Sequence, residues 1–92
     1  MKTTEAKLKD DVRLYLTRIG AYWFMPVQTG YGQSTVDFLV CYKGRFYGIE
    51  TKVRGRAPTP RQLQKIREIV AAGGEAFVAY NVEQVKAQLH VA

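Results

Sequence analysis

The sequence predicts an α/β fold in which a mixed four-stranded sheet is flanked by helices. Three observations lead to it. Two apolar runs joined by Lys43-Gly44 predict a β-hairpin. Residues 59–72, between the third and fourth predicted strands, carry helix start and stop signals, and so long a crossover makes those strands parallel. Apolar residues near the start of the chain recur at helical spacing, and Asn81 predicts the cap of a last helix. The predicted order is α-β-β-β-α-β-α.

Composition indicates one small globular domain over residues 1–92. Hydrophobic residues make up 47% of the chain, which argues against disorder. The formal net charge of +6 favours a polyanionic partner, above all nucleic acid, although a basic protein without such a partner fits the charge equally well. A single cysteine, Cys41, excludes an internal disulfide and a cysteine-based zinc site. We predict a cytoplasmic protein, because no apolar run is long enough to span a membrane and the first residues are too polar for a signal peptide.

The first predicted helix covers residues 3–19 and ends at Gly20. Its apolar stripe contains Leu8, Val12, Tyr15, Leu16 and Ile19. Glu5 lies on the same stripe, so it is predicted to face inward; alternatively it only complements the positive end of the helix dipole.

Residues 22–27 predict the first strand, in which Pro26 indicates a sheet edge or a strand end. The apolar run Tyr22, Trp23, Phe24 and Met25 fills either the monomer core or a dimer interface. Residues 28–35 form a polar loop, where Tyr31 is either a stacking residue or a loop anchor.

The hairpin strands are predicted over residues 36–42 and 46–53. If Tyr42 pairs with Arg45, Asp37 lies opposite Glu50, whereas a slip of one residue would place Asp37 opposite Thr51. Glu50 and Lys52 then share one face of the sheet. Cys41, inside an apolar strand, is predicted to be buried.

A basic connection over residues 53–58 leads into the second long helix. Thr59 is predicted as its N-cap, Pro60 as its first residue and Gln62 as the third-position partner of the cap. The helix stops at Gly73-Gly74. Residues 76–80 form the fourth strand, and Asn81 caps a last helix over residues 82–89.

Two carboxylates and an ammonium group on one patch of sheet are costly to assemble, and a divalent cation would use them. We expect Mg²⁺ or Mn²⁺, with Asp37 and Glu50 as ligands and the backbone carbonyl of Thr51 as a third. Lys52 would orient the attacking water, help to deprotonate it, or neutralise charge on the phosphate.

These residues resemble the active site of the PD-(D/E)XK nuclease superfamily. The resemblance rests on Asp37, on Glu50-Thr51-Lys52, on the helical Glu5 and on the αβββαβ order, which is that of the restriction-endonuclease-like core. The length, the Pro-Thr-Pro-Arg-Gln stretch at 58–62 and the stretch at 73–78 resemble stand-alone VRR-NUC proteins of phage and bacteria. The likeness covers residues 3–89. One departure is Val36, which stands where the motif has proline; that proline shapes the turn before the strand and takes no part in the chemistry.

The resemblance implies that Asp37 and Glu50 bind metal, that Lys52 is catalytic, that Glu5 lies near the metal and that Gln62 lines the site. It also implies relatives of Holliday-junction resolvases, DNA-repair nucleases that cut branched DNA as homodimers. Phosphate contacts are expected from Lys43 and Arg45 at the hairpin tip and from the basic residues after the third strand. Those residues are Arg54, Arg56 and Arg61, and Tyr31 would be a further DNA contact.

The function predicted from the sequence is a Mg²⁺- or Mn²⁺-dependent endodeoxyribonuclease acting on Holliday junctions or flaps, in a bacterial cell or a phage's host. The alternative is a non-catalytic nucleic-acid-binding or assembly module, in which Glu50 and Lys52 form a cross-sheet ion pair. Cleavage of RNA stays open, because chemistry centred on the phosphate does not read the 2′-hydroxyl.

Overall fold

The computed structural model describes residues 4–28 and 34–91, and its element order is the predicted one. The elements are α1 (Glu5–Arg18), β1 (Tyr22–Phe24), β2 (Phe38–Tyr42), β3 (Arg45–Thr51), α2 (Pro60–Ala71), β4 (Glu75–Ala79) and α3 (Val82–Leu89). The strands lie in the order β1-β2-β3-β4. The first two pairs are antiparallel and β3 pairs with β4 in parallel, so the predicted mixed sheet is confirmed.

Local sequence signals set the hairpin and the helix starts. Lys43 and Gly44 both adopt positive φ, 50° and 79°, as a type I′ turn requires, and Tyr42 pairs with Arg45 as predicted. The Thr59 side chain accepts from the backbone of Gln62, whose side chain accepts in return from the backbone of Thr59. The predicted capping box is therefore confirmed, as is the Asn81 cap of α3.

One face of the sheet carries the hydrophobic core. Leu8, Val12 and Leu16 of α1 and Val85 and Leu89 of α3 cover it. They pack against Phe38, Val40, Tyr42, Tyr47, Ile49 and Ala79 of the strands. Helix α1 was predicted from apolar periodicity and α3 from its cap, and the buried residues of α1 belong to the predicted stripe.

The opposite face is covered by α2, none of whose residues is fully buried. Gly48 of β3 allows the close approach of this helix: a Cβ there would lie 2.5 Å from Ile69 Cδ1 and 3.1 Å from Val36 Cγ2. The β1–β2 side of this face is more open, since Tyr22 and Phe24 are 71% and 52% exposed and Cys41 is also exposed.

Two sequence predictions about this region are corrected, and one question that the sequence left open is answered in part. Strand β1 ends at Phe24 and does not reach residue 27, because Pro26 cannot donate to the ladder. Cys41 is exposed instead of buried, because it lies on the open face. Strand alternation divides the apolar run at 22–25 between the two faces of the sheet. Trp23 packs edge-on against Phe38, with 6.2 Å between the ring centroids, and Met25 also packs against the core. Tyr22 and Phe24 point outward.

Within the described residues, no helix is long and apolar enough to cross a membrane.

Candidate active site

Asp37 and Glu50 meet where the β2–β3 hairpin opens. Phe38 pairs with Ile49, and continuing that register by one pair sets Asp37 opposite Glu50, as predicted. Asp37 lies just before β2 and not within it, because the strand begins at Phe38 and not at residue 36. A cleft of about 270 Å³ opens over the pair, between β3 and the first turn of α2.

Asp37 is held as a charged carboxylate. Its Oδ2 accepts from the Thr51 backbone N–H at 2.9 Å and from the Thr51 hydroxyl at 2.7 Å. Lys9 Nζ lies 3.6 Å from Oδ1. Burial alone would raise the pKa of Asp37, but hydrogen bonds from Glu50 and Thr51, with the charge of Lys9, lower it below the usual range.

Glu50 has the opposite character. Its side chain is 2% exposed, and burial, followed by the neighbouring Asp37, raises its pKa to about 8. Lys52 and Lys9 oppose this shift without cancelling it. Without a cation the pair therefore retains one proton at neutral pH. A divalent cation between the two carboxylates would remove the cost of ionising both.

Gln62 links the start of α2 to this pair. Its Oε1 accepts from the Thr59 backbone N–H at 2.8 Å, and its Nε2 donates to Glu50 Oε2 at 3.3 Å. Because the capping box fixes which end of the amide faces Thr59, the N–H₂ end must face the carboxylate. The prediction that Gln62 lines the cleft agrees with this placement.

Lys52 follows the last residue of β3. Its backbone N–H donates to the Ala79 carbonyl at 3.0 Å, which continues the parallel ladder, and its charge lowers the pKa of Glu50. In the part of the chain that the structure describes, Lys52 forms no ion pair, so the cross-sheet Glu50–Lys52 pair of the alternative interpretation is not formed.

Helix α1 contributes a residue that the sequence did not single out. Glu5 is exposed, so the prediction that it faces inward is wrong. Lys9, one turn later, is the α1 side chain that reaches Asp37. The only sequence signal for Lys9 is its place beside Leu8 on the edge of the apolar stripe.

The donor set suits a hard cation that keeps much of its water. Within residues 4–28 and 34–91, no group of three or more acidic, histidine or cysteine side chains lies together. The protein therefore offers the carboxylates of Asp37 and Glu50, with the Thr51 carbonyl as the predicted third ligand. Mg²⁺ is typically bound in this way, through one or two carboxylates and several waters.

The predicted DNA-contacting residues fall into two groups. Lys43 and Arg45 lie at the hairpin tip, about 20 Å from Asp37 at a rise of about 3.3 Å per residue. Arg45 pairs with Glu75 at 3.0 Å. The second group, Arg54, Arg56 and Arg61, is exposed, and Arg61 lines the cleft. Tyr80 anchors this connection by donating to the Arg56 carbonyl at 3.2 Å. Tyr31 lies outside the described residues.

Comparison with known proteins adds a likeness of fold. No family model and no curated protein matches the sequence. Among solved structures, one described as a VRR_NUC domain is similar, with a TM-score of 0.75 and 21% sequence identity over 95% of each chain. The chain therefore has the fold of a VRR-NUC domain, the fold that the sequence resemblance implied.

Proposed function

We propose that the protein is a metal-dependent endodeoxyribonuclease that hydrolyses phosphodiester bonds. The observation that carries the proposal is the pairing of Asp37 with Glu50 in one cleft. One carboxylate has a lowered pKa and the other a pKa raised to about 8. Such opposed carboxylates, one of them buried, are typical of functional sites. The fold is that of a nuclease-type domain.

Each candidate site residue has a proposed role. Asp37, Glu50 and the Thr51 carbonyl would hold Mg²⁺ or Mn²⁺, which when bound polarises a phosphodiester and lowers the pKa of a water. Gln62 orients Glu50 through the hydrogen bond already described. Lys52, which has no ion-pair partner among the described residues, would neutralise charge that develops on the phosphate oxygens. Glu5, being exposed, would act only through water.

We further propose branched DNA, a Holliday junction or a flap, as the substrate. The two basic groups lie at opposite ends of the hairpin, so each would contact the backbone of a different duplex arm. The net charge of +6 supports such an extended contact.

The test uses purified protein with four-way junction, flap, duplex and single-stranded DNA in the presence of Mg²⁺ or Mn²⁺. Asp37→Asn and Lys52→Ala should each slow cleavage by at least about a hundredfold while DNA binding survives. Asp10→Asn, which removes an exposed carboxylate that pairs with Arg13 on the surface of α1, is the matched control and should cleave normally.

Two outcomes count against the proposal. If the Asp37 and Lys52 variants cut DNA as fast as the wild type, these residues do not form the active site. A wild-type protein that binds DNA and cuts none of the panel with either cation would instead favour the non-catalytic binding module.

A homodimer is proposed as well, because a single cleft cuts one strand whereas a junction requires two cuts. The outward aromatic residues of β1, Tyr22 and Phe24, would supply the contact, and β1 is an edge strand. Light scattering should give a mass twice that of the chain, and Phe24→Asp should halve it. A monomeric wild type, or a Phe24→Asp variant of unchanged mass, would contradict this assembly.

A further inference from the structure

We infer that a groove continuous with the cleft receives an unpaired single strand of the DNA substrate, with Phe46 stacking on one of its bases. The inference rests on the proposed nuclease function and adds to it a site for a single-stranded segment. The groove has a volume of about 700 Å³ and runs along α2 toward the hairpin tip. Ser34, Thr35 and Lys65 line both the groove and the cleft, so the two form one path.

The aromatic ring in the groove and the acid in the cleft lie on the same face of β3. Phe46, Gly48 and Glu50 are at alternate positions and therefore face the same side of the sheet. Ile69 of α2 fills the space over Gly48, so the path from the aromatic ring to the carboxylate passes Ser34, Thr35 and Lys65 and does not cross the glycine. Four residues at a rise of about 3.3 Å separate the ring and the carboxylate by about 13 Å. A stacked strand covers that distance with about four nucleotides at about 3.4 Å each.

Phe46 is an aromatic ring placed for an outside partner. It is 45% exposed, although Tyr47, Ile49 and Thr51 on the other face of the same strand are buried. Its ring is supported by Gly74, where a Cβ would come within 3.0 Å of Phe46 Cδ1. A supported and exposed ring suits base stacking, which is the general way that proteins bind single strands without reading their sequence.

The charges along the groove are already paired. Lys65 lies 3.4 Å from Glu68 and Arg45 lies 3.0 Å from Glu75. The groove therefore offers phosphates little net charge, and it selects by stacking. An unpaired strand presents its bases to such a ring, whereas a duplex hides them within its own stack.

The experiment measures DNA binding by the Asp37→Asn protein, so that no substrate is cut. The probes are a blunt duplex and the same duplex with a single-stranded overhang that carries 2-aminopurine at successive positions. Phe46→Leu keeps an apolar side chain and loses the aromatic face. It should weaken binding of the overhang on the order of five- to a hundredfold and leave the blunt duplex unchanged. Phe46→Trp should retain the affinity and quench 2-aminopurine within a short window of positions.

Val70→Ala is the control. Val70, on α2, is apolar and exposed like Phe46, but it does not line the groove. It should bind both DNAs as the parent does. The inference is overturned if Phe46→Leu binds the overhang as tightly as its parent, or if it loses affinity for both DNAs equally. If the wild type still cuts DNA in that case, the nuclease proposal stands alone. A wild-type protein that binds neither DNA would contradict both the single-strand inference and the nuclease proposal.

Discussion

The two faces of β3 differ in what they do for the molecule. Tyr47, Ile49 and Thr51 point toward α1 and α3 and are at most 1% exposed. Phe46, Gly48 and Glu50 point toward α2, and there the strand carries a half-exposed ring, a glycine and a buried acid. One face therefore contributes apolar burial, while the other carries groups that are unfavourable for folding and useful for chemistry.

The difference shows how a chain of 92 residues combines a core with a site. Strand alternation lets neighbouring residues serve opposite purposes without competing for space. Gly48 brings α2 close enough for Gln62 to reach Glu50, at the expense of apolar packing on that face. The predictions below separate the two faces.

The largest effect on stability is expected on the core face. Ile49→Ala should lower the free energy of unfolding by about 2–5 kcal/mol, because it leaves a cavity where the side chain is fully buried. Phe46→Ala, on the same strand, should cost clearly less since much of its ring is already in water. Urea denaturation of both variants measures the difference. Equal losses would contradict the division between the faces.

A pH dependence is expected from the site face in the absence of metal. Glu50 has a folded-state pKa of about 8 against an ordinary value of 4.5, so the folded state binds its proton more tightly than the unfolded state does. The stability from this proton is complete below about pH 4.5 and is lost as pH rises toward 8. Asp37 has a lowered pKa, so the stability that its charged form contributes is lost only as the solution becomes acidic.

Urea denaturation in EDTA at pH 5 and pH 8 measures this dependence. The wild type should be less stable at pH 8, and Glu50→Gln should be more stable there than the wild type, on the order of a few kcal/mol. A wild-type protein that is equally stable at both values would show that Glu50 titrates normally.

Much of this arrangement could be predicted from the sequence because it depends on local rules. Lys43-Gly44 fixes the turn, the turn fixes the register, and the register sets Asp37 opposite Glu50. Thr59, Pro60 and Gln62 fix the start of α2 in the same way. What could not be predicted depends on how the elements are placed in space.

The wrong predictions about Glu5 and Cys41 are of that second kind. Glu5 and Lys9 are one turn apart on nearly the same side of α1, so which of them reaches Asp37 depends on the position of the helix along its own axis, which an apolar stripe does not fix. Cys41 was predicted to be buried because its strand is apolar, but the sequence does not say how much of each face a helix covers. The groove beside Phe46 likewise appears only once α2 is placed on the sheet.

A smaller effect separates the two functions of Gln62. Thr59→Ala removes the cap and should cost about 1 kcal/mol while leaving the Gln62 amide beside Glu50. Gln62→Ala should have a similar cost and also weaken Mn²⁺ binding by about tenfold, because Glu50 loses its donor. Calorimetric titration of both variants checks this. Equal Mn²⁺ affinities would leave Gln62 with a capping role only.

The most direct test of the central claim is a thermal melt of the protein during titration with Mn²⁺ in the absence of DNA. A bound cation stabilises the folded state by about 2.7 kcal/mol at a hundred times its Kd, so the melting temperature of the wild type should rise with Mn²⁺ by several degrees. The same rise is expected for Asp10→Asn and none for Asp37→Asn. A wild-type melting temperature that does not change, or an Asp37→Asn protein that rises equally, would contradict a metal site at Asp37 and Glu50.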